Sequence, residues 1–349
     1  MNPHLEHNLA DDEFACRLLE DCNTCARRNV ADWAAACLAN GVDPRDTSVY
    51  SGTAGIAYAV ERAAAVSAAD GDTGKARAFH QAAIRTLGKA PGADIANSVH
   101  QCSLLRGPAG WHLAAVLIGA PCAAASAVAY EQLAPKRQYQ LDGVEFGRAG
   151  WILGALMVNA KKDRSDLPTV ARDTIAKVVL ALVGTGRAFA KISGTGHLEQ
   201  LPLLWLHNNR EFSGTAHGLF GILYALLSVE LQMGAGTLDS IVPGALADVK
   251  GAVDWCDHAA IQVQTGRNWP TLKGERSPCL TQWSDGAPGA IYLFAAAIRV
   301  FGDGNGRCVP CAAAASASDS PPPPPSLLAP ADTETPSSGR RTRCGGTGP

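Results

Sequence analysis

This sequence predicts an all-α fold, an (α/α) toroid or barrel of inner and outer helices that is incomplete at its C-terminal end. Two observations carry that reading. A G-x-x-G followed by a long apolar run occurs five times, at Gly52/Gly55, Gly107/Gly110, Gly147/Gly150, Gly218/Gly221 and Gly286/Gly289. Self-similarity at intervals of roughly 40–70 residues marks a repeat architecture. The runs behind the glycines, such as IAYAV, WHLAAVLIGA and GILYALL, are apolar on nearly every side, the pattern of a buried rather than an amphipathic helix. Each interval has room for one buried inner helix, one amphipathic outer helix and two loops. Closing such units into a ring gathers the glycine turns at one end. Glycines at i and i+3 share a face at the helix start, and without a Cβ they let a backbone or a ligand approach closely.

Composition excludes several function classes. Of the 349 residues 47% are apolar and 18% charged, with a net charge of −2. That supplies a large core and offers no basic surface for nucleic acid. No run is long enough for a transmembrane helix, and the start MNPHLEHNLADDEFACRLLE lacks the basic-then-apolar order of a signal peptide. Eleven scattered cysteines then read as reduced thiols, so the cytoplasm is the expected location.

Taken in order, residues 9–39 read as a helix that stops at Asn40-Gly41. Cys22 and Cys25 lie on it as two thiols one turn apart; no second C-x-x-C in suitable surroundings makes them half of a metal site. The first repeat opens at Ser51, and residues 70–97 read as a loop and an outer helix. The second begins at Arg106-Gly107 and leads into an alanine-rich stretch that ends at Tyr130. Asp142 and Glu145 stand ahead of the third glycine turn. A carboxylate there either caps the helix and faces its dipole or lines the mouth of the barrel. Residues 165–192 read as an outer helix, with Val170, Ile175, Val178, Val179, Leu182 and Val183 at helical spacing. His217 precedes the fourth turn by one residue. There the inner helix end faces the toroid's opening, and an imidazole can exchange protons near neutral pH. Gly218, Gly286 and Arg148, at these same turns, are the candidate substrate-binding residues.

With the repeats in place, the segments T-A-H-G-L-F-G (residues 215–221) and Q-W-x-x-G-A-P-G (residues 282–289) closely resemble the lanthionine synthetase C-like family. The resemblance covers roughly residues 10–303. It implies a double α-helical toroid with a zinc ion at one end. In the bacterial members that zinc activates a peptide cysteine for addition to a dehydrated serine or threonine. The eukaryotic relatives are associated with glutathione binding and with thiol addition to dehydroamino acids. By the same resemblance His217 acts in proton transfer, assisted by an acid ahead of the third repeat, for which Asp142 is the closest match and Glu145 a rival.

The departures from that family are informative. Its fifth repeat reads W-C-H-G-A-P-G, with the cysteine as a zinc ligand, whereas this chain reads Trp283-Ser284-Asp285-Gly286. The later C-H-G-x-x-G repeat, which carries the other two ligands, has no counterpart. Residues 304–349, rich in Pro, Ala, Ser and Gly, read as a disordered tail and a replaced C-terminus. A hydroxyl such as that of Ser284 is a poor zinc ligand. Asp285, Cys279, Cys256 and His258 do not complete a three-ligand set on paper. The expected function is therefore a family member with no cofactor, weakly active or non-catalytic, that binds a thiol peptide such as glutathione or a protein partner. Two alternatives stand beside it. One is a zinc-dependent thiol-addition enzyme whose true C-terminus is missing from this sequence. The other is an (α/α)-barrel glycosidase, for which Asp142, Glu145 and Asp285 are the only carboxylates near repeat mouths. A toroid lacking its last repeats exposes an apolar flank and is expected to be marginally stable.

Overall fold

The computed structural model describes residues 43–91, 100–136, 141–161, 167–193, 201–263, 266–275 and 280–302, with parts of a helical stretch between 29 and 39. Most of the expected 9–39 helix with Cys22 and Cys25, the candidate Cys279 and the tail from 304 onward lie outside the described residues.

Each G-x-x-G opens a helix, and its first glycine is the N-cap in every case. These inner helices are α1 (Thr53–Ala69), α3 (Pro108–Leu117), α5 (Arg148–Asn159), α7 (Leu219–Met233) and α10 (Ala287–Phe301). Between them run the outer helices α2 (Thr73–Leu87), α4 (Ala123–Gln132), α6 (Arg172–Ser193), the short α8 (Thr237–Ile241) and α9 (Ala245–His258). The inner helices pack serially, α1 on α3, α3 on α5, α5 on α7 and α7 on α10. Helix α2 lies against α1 and α3, α4 against α3 and α5, α6 against α5, and α9 against α7 and α10. This is the inner-and-outer layering of an (α/α) toroid. Among the described residues the series is open, because α1 and α10 are not a packed pair. Ile291, Ala295 and Ile298 form an exposed apolar stripe on the free side of α10.

The turns are joined to one another through backbone carbonyls in a fixed register. The carbonyl two residues before each later first glycine accepts a bond from the turn before it. Leu105 O accepts from Val49 and Tyr50 N–H, and Ala216 O from Glu145 N–H at 3.0 Å. Ser284 O accepts from Thr215 N–H at 2.9 Å, and Glu145 O from the Ser103 hydroxyl at 2.6 Å. All five glycine turns therefore form one continuous rim. The second glycines are needed for a steric reason. A Cβ at Gly150 or Gly221 would lie 2.0 Å from Val144 O or 1.9 Å from Thr215 O, a contact no side chain makes.

Tryptophans tie the two layers together. The Trp111 indole N–H on α3 donates to Leu87 O at the end of α2, and that of Trp151 on α5 donates to Tyr130 O on α4. Tyr130 returns a bond from its hydroxyl to Trp151 O at 2.8 Å, and the two rings stack. Trp205 and Trp269 repeat the device on Leu182 O of α6 and Cys256 O of α9. Each large ring is buried while its one polar atom is satisfied. One element departs from the all-helical expectation: β1 (Ile261–Val263) and β2 (Gly266–Asn268) pair as an antiparallel hairpin after α9. The Ile-Gln-Val alternation and the following glycine are its local signal.

Candidate functional site

The rim of turns is where side chains converge. His217, Phe146 and Arg106 each stand immediately before the first glycine of a repeat, and Glu145 stands one residue further back. The serial packing of α3, α5 and α7 brings these positions together. Glu145 is 8% exposed. Its Oε1 accepts from Arg106 Nε at 2.8 Å, and its Oε2 lies 3.4 Å from His217 Nε2. One carboxylate is thus bracketed by a guanidinium and an imidazole. The His217 ring stacks on His207 at 4.4 Å between centroids and on Phe146 at 5.9 Å, with Phe212 edge-on. Its Nδ1 is buried and has no hydrogen-bond partner.

Asp142 is placed differently. It is 3% exposed and bonds Arg148, itself 2% exposed, through Nη1–Oδ1 at 2.5 Å. Burial pushes its carboxyl up to about 6, against the opposing pull of the Arg148 guanidinium. Its Oδ2 accepts no hydrogen bond. Of the two acids ahead of the third turn, Glu145 is the one that faces His217, while Asp142 forms a buried ion pair with Arg148. Arg148, a candidate for substrate binding by sequence, points inward to that pair. Gly218 and Gly286 are accounted for by the turns themselves, since a Cβ would meet Phe212 O at 2.2 Å or Leu280 O at 2.4 Å. Gly286 also has φ +106, the left-handed region that favours glycine.

Sequence reasoning missed His207, Phe146 and Arg106. His207 sits in the connection before α7, in a bridge with Arg210, and nothing local marks it. Phe146 and Arg106 did carry a signal: they occupy in their repeats the position His217 occupies in its own. Burial, and next the nearby His217, hold the His207 imidazole below its usual range, while Glu145 acts the other way. His217→Gln is accordingly expected to raise the His207 pKa and Glu145→Gln to lower it further, read by histidine NMR titration.

The fifth turn offers little to a metal. The Ser284 hydroxyl accepts from Gln282 Nε2 at 2.7 Å, and its carbonyl is part of the rim. Cys256 is fully buried between outer and inner helices, and burial pushes its thiol far up. His258 Nδ1 is within 2.7 Å of Asp254 O. Among the described residues no three His, Cys, Asp or Glu side chains converge to hold a metal ion. These residues do not fit a catalytic zinc, which takes about three protein ligands.

A series of G-x-x-G turns, each capping an inner helix and carrying its polar side chains on one rim, defines a LanC-type toroid. The family model for lanthionine synthetase C-like proteins matches residues 43–308, well over half of the chain, and the chain belongs to that family. Among curated proteins it is similar to "Glutathione S-transferase LANCL1" of Danio rerio, 27% identical over 161 residues, 46% of this chain and 36% of that protein. It is also similar to "LanC-like protein GCL1" of Arabidopsis thaliana, 29% identical over 156 residues, 45% of this chain and 31% of that protein. The aligned stretch spans about a third of the length of these curated relatives.

Proposed function

We propose that this chain is a LanC-like protein that binds a thiol peptide of the glutathione type, or a protein partner presenting such a segment, over His217, without zinc and with weak or no catalysis. The observation that supports this is the rim itself. It keeps a partly exposed imidazole on an acid, Glu145, while the fifth turn carries Ser284 and, among the described residues, no three-donor set accompanies it. The name of the Danio rerio relative points to glutathione as the ligand class. Without a metal a peptide thiol keeps a pKa near 8.5 and is mostly protonated at pH 7. His217 alone then supplies general-base help of about 10²–10⁴-fold at most. No helix among the described residues is long and apolar enough to cross a membrane, and the cytoplasm, where glutathione is kept reduced, is the proposed setting.

The test is to purify the full chain without added metal or a histidine tag, then measure zinc by elemental analysis and glutathione binding by calorimetry. We expect less than about a tenth of an equivalent of zinc and saturable binding weakened by His217→Ala. Near-stoichiometric zinc together with zinc-dependent thiol addition to a dehydrated peptide overturns the reading in favour of an enzyme.

A further inference from the structure

We infer that Arg106, seated over the Tyr50 ring, is a receiving fork for a ligand carboxylate on the rim next to His217. The guanidinium carbon lies 4.4 Å from the Tyr50 ring centroid. The Nε edge of the fork is used by Glu145 at 2.8 Å. The two terminal nitrogens make no hydrogen bond to the protein among the described residues, and the side chain is 44% exposed. A guanidinium carries five donors in a fixed plane. Here one edge is anchored, one face is supported by a ring that is itself 62% exposed, and the outer edge is open.

That combination is more than the bond to Glu145 requires. The pair is made through Nε alone, and it needs neither a stacking platform nor an idle pair of donors. What the arrangement does provide is a pre-oriented planar fork, the geometry that takes a carboxylate through two parallel hydrogen bonds. The anchoring also sets its position. Glu145 holds Arg106 Nε with one oxygen and faces His217 with the other, so the guanidinium and the imidazole flank the same carboxylate. A short peptide can rest a carboxylate on Arg106 while its thiol lies over His217. This assignment rests on the thiol-peptide reading for the thiol end, but the fork itself comes from the second repeat and Tyr50 of the first. Those are different elements from the one that carries His217.

The experiment compares glutathione with its desulfo analogue γ-glutamyl-alanyl-glycine by calorimetry, on the full chain and on Arg106→Gln and Tyr50→Ala. Arg106→Gln is expected to weaken both peptides by about tenfold or more, and Tyr50→Ala by a smaller factor. Esterifying the glutathione carboxylates should reproduce the loss in the unmodified chain and add nothing further in Arg106→Gln. Equal affinity in the unmodified chain and Arg106→Gln overturns the fork and leaves the thiol-peptide reading standing. Arg106-dependent binding of the desulfo peptide, with glutathione no tighter, keeps the fork and removes the role of the thiol. Binding of neither peptide overturns both. If melting shows that Arg106→Gln is misfolded, Tyr50→Ala decides, because its ring is exposed and the Arg106–Glu145 pair remains; unchanged affinity there overturns the fork.

Discussion

Replacing Arg148 with alanine is expected to destabilise the fold by about 3–5 kcal/mol at pH 7, the usual loss when one partner of a buried ion pair is removed. Asp142 is then left with no cation in a site where it is 3% exposed and where its second oxygen is already without a partner. The loss should shrink toward pH 4.5, because a protonated Asp142 leaves no buried charge behind. The unaltered chain has its own pH signature from the same group. The folded carboxyl sits at about 6, above its usual 3.8, so the folded state holds the proton more tightly than the unfolded chain. Its contribution to stability is therefore fully present below about pH 4 and is lost as pH rises through 6. Denaturant titrations of both chains at pH 4.5 and 7 check these signs. The double change Asp142→Leu with Arg148→Met should recover most of the loss, since a buried pair can give way to apolar side chains of similar size. An Arg148→Ala chain as stable as its parent at pH 7 contradicts the buried pair.

The same glycine-to-alanine change is expected to act with opposite signs at two places. At Gly221 the new methyl would lie 1.9 Å from Thr215 O and 2.7 Å from a Val144 methyl. The carbonyl is backbone of the glycine turn, so it cannot swing aside as the end of a flexible side chain would. A loss of about 3 kcal/mol or more is expected, at the upper end of overpacking. At Gly184, on α6, a Cβ meets nothing within 4 Å, and alanine restricts the unfolded chain while favouring the helix. A gain of about 0.5–1 kcal/mol is expected there. Thermal and urea unfolding of the two variants decide both. A tolerated Gly221→Ala would show that the close turn-to-helix approach is not what the repeated glycine serves.

The sequence by itself determined the class of the fold and the end at which its glycine turns gather. Five G-x-x-G turns with all-apolar helices behind them are local patterns: a glycine pair and a helical period can be read without knowing what they pack against. That is why the five inner helices start where the glycines predicted, and why His217 was found from its position ahead of Gly218. The later outer helix was legible for the same reason, from Ile175 to Val183 at helical spacing, but it opens at Arg172 rather than near 165 and leaves Val170 in the preceding loop. Tertiary structure decided what the side chains on the rim do. Asp142 and Glu145 are three residues apart and chemically alike, yet one turns inward to Arg148 and the other outward to His217 and Arg106. No local preference separates them; the choice follows from how α5 packs between α3 and α7. His207 and Tyr50 likewise enter only when segments distant in sequence are brought together, because a stacked ring or a supported guanidinium is a property of contacts and not of any stretch of chain.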